Sequence, residues 1–121
     1  MTSKLYPITP VAKPRMTRSD KWRKRPATTK YWAFKDECQK LGVKFFPGCG
    51  IRFFIPMPVS WSQKKRDFMV GKPHQSEPDL DNLLKALSDA VWPKHDQFLW
   101  SYSLLEKVWS KEGAIEIIDA E

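Results

Sequence analysis

Two carboxylates, Asp79 and Asp81, stand one residue apart at the start of the segment EPDLDNLLKALSDAV (77–91), and Lys85 follows one helical turn after Asp81. If Asp79 is still extended, both carboxylates point the same way, because side chains of an extended segment repeat every two residues. Adjacent hard oxygen ligands, with water in the remaining positions, are the usual way in which proteins hold Mg²⁺. Asp96 is a candidate third ligand, and Lys85 could reach a phosphate or a developing charge at such a metal.

The same acids also suit the start of a helix. Aspartate is a preferred N-cap residue, and a carboxylate near the positive end of the helix dipole stabilises the helix by ~0.3–1 kcal/mol. Asp79 and Asp81 therefore need no metal to account for them, and Lys85 viewed alone is a solvated helix residue. The spacing leaves both interpretations open, a metal site and a helix cap.

The segment 77–91 is predicted to be an amphipathic helix, in which Pro78 is tolerated because it lies in the first turn. Its polar side carries Asp81, Lys85, Ser88 and Asp89, and we expect Asp89 to pair with Lys85, four residues before it. Its apolar side forms one stripe at helical spacing, made of Leu80, Leu83, Leu84, Leu87 and Val91.

The rest of the chain supplies the elements that must position these residues. Periodicity and turn residues predict strands at 6–11, 51–55, 98–104 and 114–118, the last two as a terminal hairpin, and helices at 29–41 and 61–70, the latter capped by Ser60. With 121 residues, the length predicts one domain over 1–121. The order of elements predicts an α+β fold, a compact domain with a mixed, largely antiparallel sheet packed with two to three helices.

The charge is unevenly spread along the chain. Residues 1–75 carry a net charge of +13 and residues 76–121 a net charge of −6, which together give +7. A basic half with interleaved aromatic residues favours a nucleic-acid partner, although a basic solvated surface is the plainer alternative. The segment 12–28 is predicted to be a basic loop that is mobile until it meets phosphate. The candidate DNA-binding residues are Lys13, Arg15, Arg18, Arg23, Lys24, Arg25, Lys64, Lys65, Arg66 and Lys72.

Other protein classes find little support in the composition. No apolar run is long enough for a membrane-spanning helix, and no apolar stretch near residue 1 fits a secretory signal. Cys38 and Cys49 form no CxxC pair and have no histidine at zinc-finger spacing. We therefore expect a cytoplasmic protein with reduced thiols.

The segment PDLDNLLKALSDA (78–90) resembles the central motif of the RusA family of Holliday-junction resolvases, Mg²⁺-dependent endonucleases common in phages and prophages. The resemblance extends to VAKPR (11–15), to IPMPVSWS (55–62) with the lysines that follow it, and to GKPH (71–74). These motifs occur in the same order over almost the whole chain. The family usually has a paired Asp-Asp where this chain has His95-Asp96, and its link to that pair is longer.

The resemblance implies that Asp79, Asp81 and Asp96 bind Mg²⁺, with Mn²⁺ as a substitute, and that Lys85 assists catalysis. It also implies a homodimer that resolves four-way DNA junctions in recombination and repair, by hydrolysis with metal-activated water, in a bacterial host cell. A non-catalytic phage DNA-binding protein and a nuclease for other branched DNA remain the alternatives.

Overall fold

The computed structural model describes residues 2–15 and 26–119. The elements in these ranges are, in chain order, β1 (Ser3–Tyr6), α1 (Pro26–Leu41), β2 (Gly50–Pro56), α2 (Gln63–Met69), α3 (Leu80–Val91), a 3-10 turn (Asp96–Phe98), β3 (Leu104–Ser110) and β4 (Ala114–Ile118). No helix in this part of the chain is long and apolar enough to cross a bilayer.

The four strands form one sheet in the order β1-β4-β2-β3. β4 runs antiparallel to both β1 and β2, whereas β2 runs parallel to β3. The central strand β2 is the apolar sequence GIRFFIP, and its Ile51 and Phe53 are fully buried. The predicted α+β class with a mixed, largely antiparallel sheet is therefore confirmed.

The helical layer is formed by α1 and α3, which pack against each other. α1 buries Tyr31, Phe34 and Cys38, and α3 buries Leu83 and Leu87. These positions recur every three or four residues, so each helix turns one apolar face to the core. The packing fixes α3 firmly, and with it the polar side that carries the candidate site.

Both cysteines are buried free thiols. Burial, and to a lesser extent the nearby Glu37 carboxylate, raises the pKa of the Cys38 thiol to about 12. Burial also raises the pKa of Cys49. Because the thiolate is the reactive form, neither side chain is suited to act as a nucleophile near neutral pH.

Three predicted boundaries were displaced. The first strand occupies Ser3–Tyr6 rather than 6–11, because Pro7 and Pro10 lack the N–H groups that a strand donates. α1 begins at Pro26, where proline is tolerated in a first turn, so residues 26–28 belong to this helix and not to the predicted basic loop. The cap of α2 is Ser62, whose hydroxyl accepts a hydrogen bond from the Lys65 backbone N–H, and not Ser60.

The predicted terminal hairpin is wrong. Residues 98–103 end a 3-10 turn and continue as irregular chain, and Trp100, which the alternation placed in a strand, is 82% exposed. β3 and β4 do form, but β2 lies between them and pairs with both. The short connection through Gly113 therefore passes the end of β2, and it runs so close to β1's continuation that a Cβ on Gly113 would lie 2.8 Å from the Thr9 Cα.

Candidate active site

Asp79 occupies the N-cap position of α3 without acting as a cap. Its backbone is extended, with φ −69° and ψ 146°, and its side chain makes no capping hydrogen bond. Its carbonyl oxygen accepts the Leu83 N–H at 3.2 Å, so the helix begins here through the backbone alone. Asp79 therefore lacks the side-chain hydrogen bond of a cap, although its carboxylate still lies at the positive end of the helix dipole.

Asp81 and Lys85 follow on the exposed side of α3, one turn apart. Neither side chain forms a hydrogen bond or an ion pair with another residue of 2–15 or 26–119. The predicted pairing of Lys85 with Asp89 is therefore wrong. Lys85 lines a cleft, and it forms no ion pair with a described carboxylate.

Asp89 has two other partners, which come from distant parts of the chain. Its Oδ2 lies 2.7 Å from the Lys13 Nζ and accepts a hydrogen bond of 2.8 Å from the Tyr31 hydroxyl. Burial opposes ionisation of Asp89, but the bonds from Lys13 and Tyr31 outweigh it and lower the pKa of this carboxyl. Burial and the same carboxylate raise the pKa of the Tyr31 hydroxyl. Asp89 is an ionised structural anchor for the segment that carries Lys13.

Two adjoining clefts lie along the polar side of α3. The larger, of about 470 Å³, is lined by Lys13, Pro14, Arg15, Asn82, Lys85, Asp89 and Asp96. The smaller, of about 370 Å³, is lined by Glu77, Pro78, Asp79 and Asn82. Asn82 lines both clefts and so marks their border. The structure therefore brings Asp96 and Lys85 to one cleft and Asp79 to the next, while Asp81 lines neither.

The residues fit a hard cation in donor type but are not gathered around one point. The carboxylates of Asp79, Asp81 and Asp96 are exposed and form no ion pair or hydrogen bond with the described residues. Across 2–15 and 26–119, however, no three Asp, Glu, His or Cys side chains are grouped closely enough to hold a metal ion. Mg²⁺ is commonly bound by one or two carboxylates with water and substrate phosphate completing its shell, so uncommitted aspartates suit it without a full protein cage.

The candidate DNA-binding residues fall into three groups. Lys13 and Arg15 line the larger cleft. Arg18, Arg23, Lys24 and Arg25 lie outside the described residues. The remaining four lie on or after α2, where Lys64, Lys65 and Lys72 are exposed and Arg66 is half-buried.

Aromatic rings support two of the lysines near α2. The Lys65 ammonium lies 4.2 Å from the centroid of the Trp61 ring, and that of Lys72 lies 4.3 Å from the Phe68 ring. These cation–π contacts hold the side chains over the surface without neutralising their charge.

Two residues near the site were missed by the sequence interpretation. Lys107 of β3 donates hydrogen bonds to the carbonyl oxygens of Ser76 and Pro78, immediately before Asp79. His74 is buried against the Trp109 ring, and burial followed by the Lys107 charge lowers its pKa. Nothing in the local sequence of a β-strand lysine marks such a role, whereas His74 stands inside the quoted segment GKPH (71–74).

Fold and site define a small α+β domain in which uncommitted carboxylates lie beside a cleft lined by basic side chains, an arrangement suited to acting on a phosphodiester backbone. The family model of endodeoxyribonuclease RusA matches residues 6–118. The chain belongs to this family of DNA-cleaving enzymes. A search among curated proteins gives no match, and neither does a search among solved structures.

Proposed function

We propose that the protein is a Mg²⁺-dependent endonuclease that resolves four-way DNA junctions. The observation that carries the proposal is Asp79, which stands at the N-cap of α3 with its carboxylate uncommitted. Beside it, Lys85 and Asp96 share a cleft with Arg15. The membership in the RusA family supports DNA cleavage as the chemistry.

Asp79, Asp81 and Asp96 would hold the ion, with Mn²⁺ as a substitute. When bound, Mg²⁺ supplies polarisation of the scissile phosphate and a lowered pKa of the attacking water. The carboxylates come from the N-cap of α3, its first turn and the 3-10 turn that follows it. Asn82, at the border of the two clefts, is placed to orient a bound water or phosphate oxygen.

Lys85 supplies the fixed positive charge of the site. It follows Asp81 by one helical turn and has no carboxylate partner among the described residues, so its ammonium is available to a phosphate oxygen. Such a charge stabilises the transition state most where negative charge develops. Both cysteine thiols are buried, and we assign neither of them the role of nucleophile.

Basic side chains on both sides of the acids would hold the DNA. Arg15 lines the larger cleft, and Lys64, Lys65 and Lys72 form a second cationic area around α2. Contacts of this kind meet phosphates and fix the position of the DNA without reading its sequence. The positive charge of these side chains also offsets the repulsion between the aspartates and the DNA phosphates.

A homodimer fits the symmetry of the substrate, because a four-way junction offers two equivalent strands to two identical sites. The exposed apolar side chains include Phe46, Phe98 and Trp100, and we expect the dimer interface to involve the segment 98–109, which carries the last two. We assign the protein to recombination and repair of phage or prophage DNA in the bacterial cytoplasm. Light scattering at micromolar concentration should give twice the chain mass, and an active monomer would contradict the homodimer.

The function is tested with a labelled four-way junction and a linear duplex of the same arm sequence, each incubated in Mg²⁺ and in EDTA. We expect paired cuts in the junction, little cutting of the duplex, and no cutting in EDTA. Binding of the junction without cleavage would identify a DNA-binding protein instead. Equal cleavage of flaps or three-way junctions would identify a nuclease for other branched DNA.

A further inference from the structure

The segment that leads into Asp79 is attached to the free edge of the sheet. The Gly71 N–H donates to the Trp109 carbonyl at 2.8 Å, the Trp109 N–H donates to the Lys72 carbonyl at 2.9 Å, and the His74 N–H donates to the Lys107 carbonyl at 3.1 Å. Residues 71–74 therefore lie along β3 almost as a further strand. Up to His74, ordinary backbone pairing positions the chain.

This pairing stops at His74, and residues 75–78 separate it from Asp79. Within the described ranges, no backbone hydrogen bond joins residues 75–78 to the sheet. The Lys107 side chain takes over, and its Nζ lies 2.6 Å from the Ser76 carbonyl oxygen and 2.7 Å from the Pro78 carbonyl oxygen. One ammonium thus holds the chain on both sides of Glu77.

The position of this clamp determines how α3 begins. Pro78 is the residue directly before Asp79, and Asp79 is extended with its side chain uncommitted. A lysine suits the task because it offers three donors and no acceptor, so it can satisfy two carbonyl oxygens at once. Since its charge is engaged by carbonyl dipoles and not by a carboxylate, it orders the segment without neutralising the adjacent acid.

We propose that Lys107 is a positioning residue of the acidic site, which holds Ser76 and Pro78 so that the Asp79 carboxylate stands ready for a cation. This deepens the proposed function and rests on it. A lysine that merely fastened an edge loop would affect the stability of the protein. A positioning residue must also affect the affinity of the site for a divalent cation.

The test compares Lys107→Met, Lys107→Arg and the control Lys111→Met in the full chain. Lys111 follows β3 directly and pairs with the exposed Asp67 at 2.7 Å, so its replacement removes a lysine from the same region without touching the clamp. Two quantities are measured without DNA: hydrogen exchange in 75–83, and the affinity for Mn²⁺ from the electron paramagnetic resonance signal of the free ion. Cleavage of the four-way junction by the parent protein is measured alongside.

We expect Lys107→Met to speed exchange in 75–83 and to weaken Mn²⁺ binding by about 10–100-fold, the usual effect of removing a group that orients a metal ligand. Lys107→Arg should restore most of the affinity, because it keeps the charge and several donors. Lys111→Met should match the parent in both measurements.

Unchanged exchange in Lys107→Met would overturn the clamp, and faster exchange with unchanged Mn²⁺ affinity would reduce Lys107 to a structural tether. If Lys107→Met does not fold, Lys107→Gln decides, because its shorter amide keeps donors but no charge; faster exchange in 75–83 with parental Mn²⁺ affinity would then reject the proposal. A parent protein that neither binds Mn²⁺ nor cuts the junction would reject the proposed function, and this inference with it.

Discussion

The two ends of α3 treat their carboxylates differently. Near its C-terminal end, Asp89 is enclosed by the Lys13 ammonium and the Tyr31 hydroxyl, which lower its pKa against the opposing effect of burial. At its N-terminal end, Asp79 and Asp81 are exposed and have no such partner among the described residues. The helix therefore engages one acid in the packing of the fold, whereas the others form no such contact among the described residues.

The lysines near each end explain the contrast. Lys13 also donates its backbone N–H to the Asn82 carbonyl at 3.0 Å, so both its main chain and its side chain fasten the N-terminal segment to α3. Lys107 is close to the other end, but its ammonium is engaged by two backbone carbonyl oxygens. One lysine forms an ion pair with an acid, and the other binds the main chain beside an acid that has no ion pair among the described residues.

Among the substitutions that test this contrast, Asp81→Asn should have the largest effect on cleavage. Asparagine is a good residue at a helix start, so the fold should persist. The change removes a charged oxygen ligand on which Mg²⁺ binding depends, and we expect single-turnover cleavage of the four-way junction to fall by at least about 100-fold. Metal-free binding of the junction should persist or tighten, because one negative charge facing the phosphates is gone.

Both quantities must be measured on the same preparation of Asp81→Asn. Cleavage at the parental rate would show that Asp81 merely favours the start of the helix and would remove it from the metal site. Loss of binding together with loss of cleavage would indicate damage to the fold. The matched control is Asp89→Asn, the same change at the other end of α3, which should cut at close to the parental rate.

Lys85→Met should have the next largest effect. We expect cleavage at saturating Mg²⁺ to fall by about 100-fold, the usual loss when a group that stabilises developing charge is removed. Because Lys85 has no ion-pair partner in the described parts of the chain, the free energy of unfolding should change by less than about 0.5 kcal/mol. Urea denaturation checks the second expectation. If Lys85→Met did lower the stability, and Asp89→Asn lowered it no further in the double variant, the result would instead indicate a Lys85–Asp89 pair.

Local patterns predicted what depends on local spacing. The apolar stripe of α3 and the buried run of β2 appeared at the expected places, since burial on one face imposes a periodicity that the sequence displays. Contacts between distant residues left no such trace. Asp89 had a lysine four residues before it, but its partner proved to be Lys13, because packing of the N-terminal segment outweighs a weak pair on an exposed helix side.

The same limit applies to the sheet and to the site. Alternation in 98–104 resembled a strand, but the parallel partner of β2 begins only at Leu104, and pairing order cannot be read from alternation. Asp79 and Lys85 could be singled out because their types and spacing matter locally. Lys107 could not, because its role depends on a loop about 30 residues earlier in the chain folding back along β3.

Asp89→Asn should have the smallest effect, and this effect should appear in the stability of the protein instead of in cleavage. The folded protein lowers the pKa of Asp89, so its ionised form contributes stability that is present above the unfolded value of about 3.9 and is lost as the pH falls through the lowered value. Lys13, Tyr31 and Lys35 are the groups that act on this carboxyl. The variant should therefore be less stable than the parent by about 1 kcal/mol in urea denaturation at pH 7, and the difference should shrink as the pH falls below about 4.

Tyr31→Phe, which removes one of the two bonds, should show a smaller difference of the same sign. A difference that persists at low pH would mean that the Asp89 charge contributes nothing, and a large loss of cleavage in Asp89→Asn would move this carboxylate from the fold to the active site.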